Sequence, residues 1–396
     1  MRKRLIVCFD GTWNNADDID ETDESGKRAT NVQRIARAVR GNSGDIQQIV
    51  LYLRGVGSTG TQIDRLVAGA TGAGVEDNIR SAYMFLAQNY RPARKEDGHD
   101  VPADEIFLFG FSRGAFSVRS LAGFISSAGL LKRQRLGDLR RAWTYYRTEG
   151  KRSSKDFCEV HKSDCHHDPE ITFVGVWDTV GALGIPRSIV GLQLDSSHEF
   201  HDTTPSKIVA NAFHALAIDE YRDEYVPTLW TGKVPKGATV EQCWFAGAHS
   251  DVGGGYADRT LADIPLVWMA RKAEQCGLAL QWQDEDRPAE PLLPDDATLD
   301  PRAPQHESRF NFSRKDRLTP TIRQIQGAAF KTSFLERAYV PSDEKGKPLT
   351  PINETVHPCA VKRFGKKVAV VLDDDGDIEI ISYAPKNLAA ALKKTV

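Results

Sequence analysis

The sequence predicts an α/β fold in which a mostly parallel sheet is covered by helices on both faces. Three observations carry this. Short continuous apolar runs, each ending in Gly or a polar residue, recur along the chain, as strands buried on both faces do. Helical patterns lie between them, the alternation expected of a parallel sheet. With 396 residues, 40% hydrophobic and 27% charged, the chain can bury a large core, as one big domain or two medium ones.

The first run, "RLIVCFDGT" (4–12), follows basic residues as a secretory signal would, but it is too short for one and meets Asp10 at once; it reads as a strand. "NVQRIARAVRG" (31–41) reads as a helix with Asn31 as N-cap, "QIVLYLRGVG" (48–57) as a strand, and "VEDNIRSAYMFLAQNY" (75–90) as a helix. "EIFLFGFSRG" (105–114) is a strand running into the helix "AFSVRSLAGFISSAG" (115–129). "ITFVGVWDTVG" (171–181) is a strand, and "TPSKIVANAFHALAIDEYR" (204–222) carries a helical pattern with Pro205 at its first position. "EQCWFAGAHSDVGGGY" (241–256) is a strand that ends in a glycine-rich loop. Beyond it, "DRPAEPLLPDDATLDPRAPQ" (286–305) has no period and reads as a wrap or linker, while "KKVAVVLDDDGDIEIISY" (366–383) is a hairpin with an acidic turn. That turn begins like a calcium loop, but Ala384 stands where the loop needs its bidentate Glu, so a solvated turn is expected.

Composition excludes several classes. A formal net charge of -2 gives no global field toward nucleic acid or a membrane surface, and no nucleic-acid partner is expected. No stretch approaches the roughly 18 to 20 apolar residues of a membrane span. Six unevenly spaced cysteines in a chain this long read as reduced thiols, which points to a cytoplasmic protein or one exported without a cleaved signal. "CEVHKSDCHH" is rich in possible ligands (Cys158, His161, Cys165, His166, His167), but its spacing matches no structural zinc site, and neither a metal nor a cofactor is expected.

In parallel sheets polar chemistry gathers beyond the carboxyl ends of the strands, where Asp10, Ser112, Asp178 and His249 all fall. Ser112 lies in Gly-Phe-Ser-Arg-Gly between a strand and a helix, the context in which a sharp turn exposes a nucleophilic hydroxyl and flanking glycines let the two elements pack closely. An ordinary turn serine is the plain alternative. A serine nucleophile needs a histidine base and usually a carboxylate to fix the imidazole, in the chain order Ser, acid, His. Asp178 and His249 stand in that order; Asp251 either competes as the orienting acid or pins the loop, with pinning favoured. His214 sits inside the apparent helix, where it has less freedom to reach the serine. The backbone N–H of Arg113 and the loop at Gly11 and Thr12, beside Asp10, are the expected oxyanion donors.

Four motifs taken together, "FDGTWNN", "GFSRGAFSVRS", "GVWDTVGALG" and "WFAGAHSDVGGGY", make the chain resemble a family of bacterial and fungal α/β-hydrolase domains that includes the catalytic domain of type VI secretion phospholipase effectors. The resemblance covers about residues 3 to 275, with weaker echoes in "HALAIDEYR", "TVHPCAVKRF" and "YAPKNL". It implies a lipase-type fold with Ser112 as nucleophile and Asp178 and His249 as its partners. Secreted toxin members are usually larger and carry membrane-anchoring modules, for which this chain has no obvious counterpart; a stand-alone hydrolase is the alternative to a toxin. The expected division is an α/β-hydrolase-like catalytic domain over 1–285, a linker or wrap over 286–320, and a small C-terminal extension over 321–396 packed on the catalytic domain.

The expected reaction is hydrolysis of a lipid or phospholipid acyl ester through an acyl-enzyme. Residues 132–155 hold nine Lys/Arg against two acids, with Trp143, Tyr145 and Tyr146 interleaved, which suits peripheral contact with an anionic membrane; a solvated helical face is the plain alternative. "GIPRSIVGLQLDSSHEF" (184–200) reads as a lid over lipid or a surface loop. Two rival functions stand beside this one. "CFDGT" looks like an aspartyl-phosphatase strand, but Cys8 holds the place of its nucleophile. A non-catalytic binding module on a hydrolase fold is the other.

Overall fold

A computed structural model describes residues 2–11, 29–55, 73–148, 150, 152–181, 203–285, 291–309, 318–343, 345–372 and 377–394. In chain order it begins with β1 (Lys3–Phe9), α1 (Asn31–Ala38), β2 (Asn42–Ser43), β3 (Ile46–Leu53), α2 (Ala73–Asn89), β4 (Arg94–Glu96) and β5 (His99–Val101). There follow β6 (Glu105–Phe111), α3 (Arg113–Ala128), β7 (Leu130–Leu131), α4 (Leu139–Arg147), α5 (Ser154–His161), β8 (Cys165–His166), β9 (Phe173–Trp177), β10 (Asn211–Ala217) and β11 (Thr239–Phe245). The rest comprises α6 (His249–Gly253), α7 (Asp263–Gln275), β12 (Gln305–His306), β13 (Thr321–Arg323), β14 (Arg337–Tyr339), β15 (Glu354–Val356), α8 (Pro358–Arg363), β16 (Lys367–Val371), β17 (Ile378–Ser382) and α9 (Lys386–Lys394).

Eight strands form the central sheet in the order β15-β11-β10-β9-β6-β1-β3-β2, parallel throughout except where β2 turns back on β3. The continuous apolar runs have the predicted cause. In β1, Leu5, Val7 and Phe9 face the core shared with α2 and α3, while Ile6 and Cys8 face the opposite core, shared with α1 and α7. Both faces of the strand are dry, so no polar residue can alternate. Thr30, one residue before the predicted cap, accepts the Gln33 N–H and caps α1.

One prediction is overturned. The segment 204–222 carries no helix: its middle is β10, paired parallel to both β9 and β11. Phe213, Ala215 and Ala217 join one core while Ala212 and Leu216 lie on the other side, a two-residue period that the many alanines disguise. Pairing on both edges outweighs the helical preference of alanine.

The chain beyond 321 is woven into this sheet. β15 pairs with β11 at the edge, and a third core joins Leu216 and Trp244 of β10 and β11 to Ile325, Tyr383, Leu388 and Ala391. The predicted hairpin is present as antiparallel β16 and β17, with β12 alongside; its acidic turn over 373–376 lies outside the described residues, as does the predicted lid over 184–200. Among the described residues no helix is long and apolar enough to cross a membrane.

Candidate active site

Ser112 sits between β6 and α3 with φ 57° and ψ -123°, a strained backbone for a residue with a Cβ. Its N–H donates to the Trp177 carbonyl at 3.0 Å, which ties the serine turn to the end of β9 one residue before Asp178. The flanking glycines are required by contact. A Cβ on Gly110 would lie 2.6 Å from the Gly114 carbonyl oxygen, and one on Gly114 would run into the Phe9 carbonyl and stand 2.5 Å from that of Asp10. The amino end of α3, with Arg113 as its first residue, is thus pressed against the loop that leaves β1 at Asp10 and Gly11. Helix amides there point back toward the turn at the helix's positive pole.

Asp178 follows β9, fully buried, with a positive φ of 38°. Its Oδ2 is 2.6 Å from His249 Nδ1. Since an ionised carboxylate can only accept, His249 donates from Nδ1, and Nε2 is left as the acceptor nitrogen. Asp178 Oδ1 also accepts the Ala217 N–H at 3.0 Å, and Arg323 donates to the two carboxylate oxygens at 2.7 and 3.0 Å. Burial alone would raise this carboxyl, but the Arg323 guanidinium and the His249 hydrogen bond outweigh it and hold Asp178 well below the usual carboxylate range. Burial moves His249 the other way: despite the neighbouring Asp178, its imidazole is held below its ordinary value.

The loop that presents His249 is fixed by three carboxylates on three consecutive amides. Gly247 N–H donates to Asp219 at 2.7 Å, Ala248 N–H to Asp251 at 2.9 Å, and His249 N–H to Glu220 at 3.2 Å. Asp251 also accepts the N–H of His306 and lies 2.7 Å from its Nδ1. Its contacts are therefore those of a loop pin, and Asp178 is the carboxylate on His249. Gly247 has φ 102° and no room for a side chain against Asp251, so only glycine suits this bend. The Phe111 ring lies 4.6 Å from that of His249 and Tyr225 meets it edge-on at 4.9 Å, bracketing the imidazole.

Ser112, Asp178 and His249 thus share one rim of the sheet. Among the described residues no hydrogen bond joins the Ser112 hydroxyl to His249. Thr12 lies outside the described residues. Gly11 donates its N–H to Asp10 Oδ1 at 2.6 Å, so this expected oxyanion donor is already engaged. Asp10 also accepts from Thr30 and Tyr52, yet burial dominates and pushes its carboxyl up to about 6. His214 lies on a strand, not a helix, and its Nε2 accepts the Thr179 N–H at 3.0 Å, buttressing the turn that carries Asp178. Burial holds it down to about 3, a neutral imidazole. In the segment 132–155 Trp143 is buried edge-on to Phe124, while Tyr145 and Tyr146 are half-buried, Tyr146 against the same ring. All three rings belong to amphipathic α4, and the exposed cations are Arg133 and Arg135 before it, Arg140 and Arg141 on it and Lys155 on α5.

The model of the "T6SS, Phospholipase effector Tle1-like, catalytic domain" family matches residues 3–272. The chain belongs to this family. The curated protein "Uncharacterized protein YEL023C" of Saccharomyces cerevisiae is 27% identical over 61% of this chain and 35% of its own length. An uncharacterized protein from Pseudomonas aeruginosa shares 20% identity and a TM-score of 0.43 over 75% of this chain and 48% of that one. A Tle1 effector bound to the VgrG spike of a type VI secretion system shares 20% identity and a TM-score of 0.36 over 64% and 51%. The chain therefore spans between about a third and a half of the length of these relatives. The family it joins is described as the catalytic domain of phospholipase effectors. The Tle1-like match holds Ser112, Asp178, Glu220 and His249 but ends before Arg323. Arg323 and Glu220 went unseen in the sequence; "HALAIDEYR" contained Glu220 as an echo of the family, whereas nothing around Arg323 marks it.

Proposed function

We propose that this domain is a serine hydrolase that cleaves an acyl ester of a phospholipid through an acyl-enzyme on Ser112. His249 takes the serine proton at Nε2 and returns it to the leaving alcohol; Asp178 holds the imidazole and stabilises its cation. The Arg113 N–H receives the developing oxyanion, and the donor from the Asp10–Gly11 loop becomes available only if the bond from Gly11 to Asp10 opens. The observation that carries the reading is the buried 2.6 Å pair of Asp178 and His249 beside a serine in a strained turn. The missing contact to Ser112 is compatible with it, because catalytic hydrogen bonds tighten when substrate binds. Docking on an anionic bilayer through the exposed arginines of 133–141 belongs to the same proposal, now on charge alone.

The test is turnover of phospholipid vesicles and short acyl esters beside Ser112→Ala, with fluorophosphonate labelling and identification of the labelled peptide. Label on Ser112 and a turnover lost with it are expected. Equal turnover by both proteins sinks the mechanism, and folded protein that takes no label favours a non-catalytic binding module.

A further inference from the structure

Two thiols and an imidazole gather at the end of α5, away from the hydrolase site. Cys158 comes from α5, Cys165 from β8 and His167 from the turn just after β8, and their ligand atoms all lie within 4.8 Å of one another. Cys158 Sγ is 2.8 Å from Cys165 Sγ, which is 3.5 Å from His167 Nδ1. The same ring nitrogen lies 3.1 Å from the hydroxyl of buried Ser154. The hydroxyl and the thiol can both donate, so in the Nε2–H tautomer Nδ1 presents its lone pair to the Cys165 sulfur. Backbone closes the inner side: a Cβ on Gly129 would stand 2.6 Å from Cys165 Sγ and 2.9 Å from the His166 carbonyl. His167 is exposed, so the outer side is open to water.

We propose that Cys158, Cys165 and His167 bind one zinc(II) ion. The two thiols release two protons, and the thiolates and the neutral imidazole supply three donors; water or the Ser154 hydroxyl completes the fourth position. Zinc bonds of about 2.3 Å to sulfur and 2.0–2.1 Å to nitrogen, disposed tetrahedrally, place sulfur about 3.6 Å from nitrogen and about 3.8 Å from sulfur. Cys165 and His167 already stand at that spacing, and the sulfurs must part by about 1 Å. A disulfide is the rival use of the two cysteines. The sequence hid the site because the donors arrive from a helix, a strand and a turn, and so follow none of the short spacings of zinc ribbons and fingers. Metal here ties α5 to β8, and β8 is paired with β7 directly after α3. It thereby staples the base of the segment that carries the exposed arginines.

The whole chain, reduced and stripped with a chelator, is titrated with cobalt(II) and then zinc(II), while the thiolate-to-cobalt charge-transfer band and bound metal are measured. One metal per chain with a thiolate band is expected in the parent. Cys165→Ala abolishes the band, and His167→Ala, at an exposed position that does not endanger folding, weakens binding about tenfold or more. A parent chain without the band overturns the site, as does stoichiometric zinc retained by Cys165→Ala. So does a chain that forms a disulfide between Cys158 and Cys165 in air and, once reduced, has no affinity for zinc.

Discussion

At the scale of single residues, the site is a set of charges whose burial is tolerated only because each has a partner. Asp178 is the extreme case, wholly buried yet held ionised by Arg323 and His249. Replacing it as Asp178→Asn keeps the shape but lets the imidazole take the wrong tautomer, and kcat should fall on the order of 10⁴-fold. Steady-state kinetics on a short acyl ester would measure this; a loss under tenfold would remove Asp178 from the mechanism. The proton balance of the base gives a second prediction. His249 must be neutral to accept the serine proton, and burial lowers it from the ordinary histidine value of about 6.5. The acid limb of kcat/KM should therefore lie below about 6.5, and a limb above it would contradict the environment of His249.

At the scale of elements, function rests on how closely strand ends and helix starts approach. Gly114 shows this most directly, because α3 begins where there is room for a hydrogen and not a methyl group against the end of β1. Gly114→Ala should push α3 away from Asp10, costing about 1–3 kcal/mol of stability and displacing Ser112. A melting curve beside esterase rates checks it; unchanged values in both would refute the close approach. The five predicted strands and the first three helices were legible because their periodicity is decided locally by burial. The segment 204–222 was not: its alanines suit a helix, and only pairing to β9 and β11 makes residues 211–217 a strand. The serine turn was legible because glycine, serine and glycine stand within five residues, and chain order singled out Asp178 and His249, whose side chains meet at 2.6 Å. That the preceding carboxylate takes the Gly11 N–H was not legible in the sequence.

At the scale of the whole molecule, the acid of the site is held from the far end of the chain. Arg323 reaches Asp178 across 145 residues, and the same C-terminal region closes the sheet with β15. No local pattern could announce this, since the partner exists only once the third core has formed. Arg323→Met leaves a buried carboxylate short of its cation and should cost about 3–5 kcal/mol; in an Asp178→Asn background the same change should cost much less, so a double-mutant cycle of melting temperatures isolates the pair. The titrating groups also oppose one another across the fold. Asp10 and Asp219 are pushed up by burial to about 6. Their protonated forms favour the folded state, a contribution complete below about 3.9 and lost as pH rises through 6. His214 and His357 are pushed down by burial to about 3 and about 4, and Glu220 is held at about 2 because Arg222 outweighs its burial. The two histidines contribute fully above about 6.5 and lose it as pH falls through 4 and then 3, while Glu220 loses its contribution between about 4.3 and 2. The histidines fall further from their ordinary value than the two carboxyls rise, and Glu220 adds to them at the acid end. Melting temperature should therefore decline as pH is lowered from about 6.5 and drop steeply below about 4. A melting temperature that rises continuously from pH 7 to pH 4 would mean that Asp10 and Asp219 govern the balance and that the buried histidines do not.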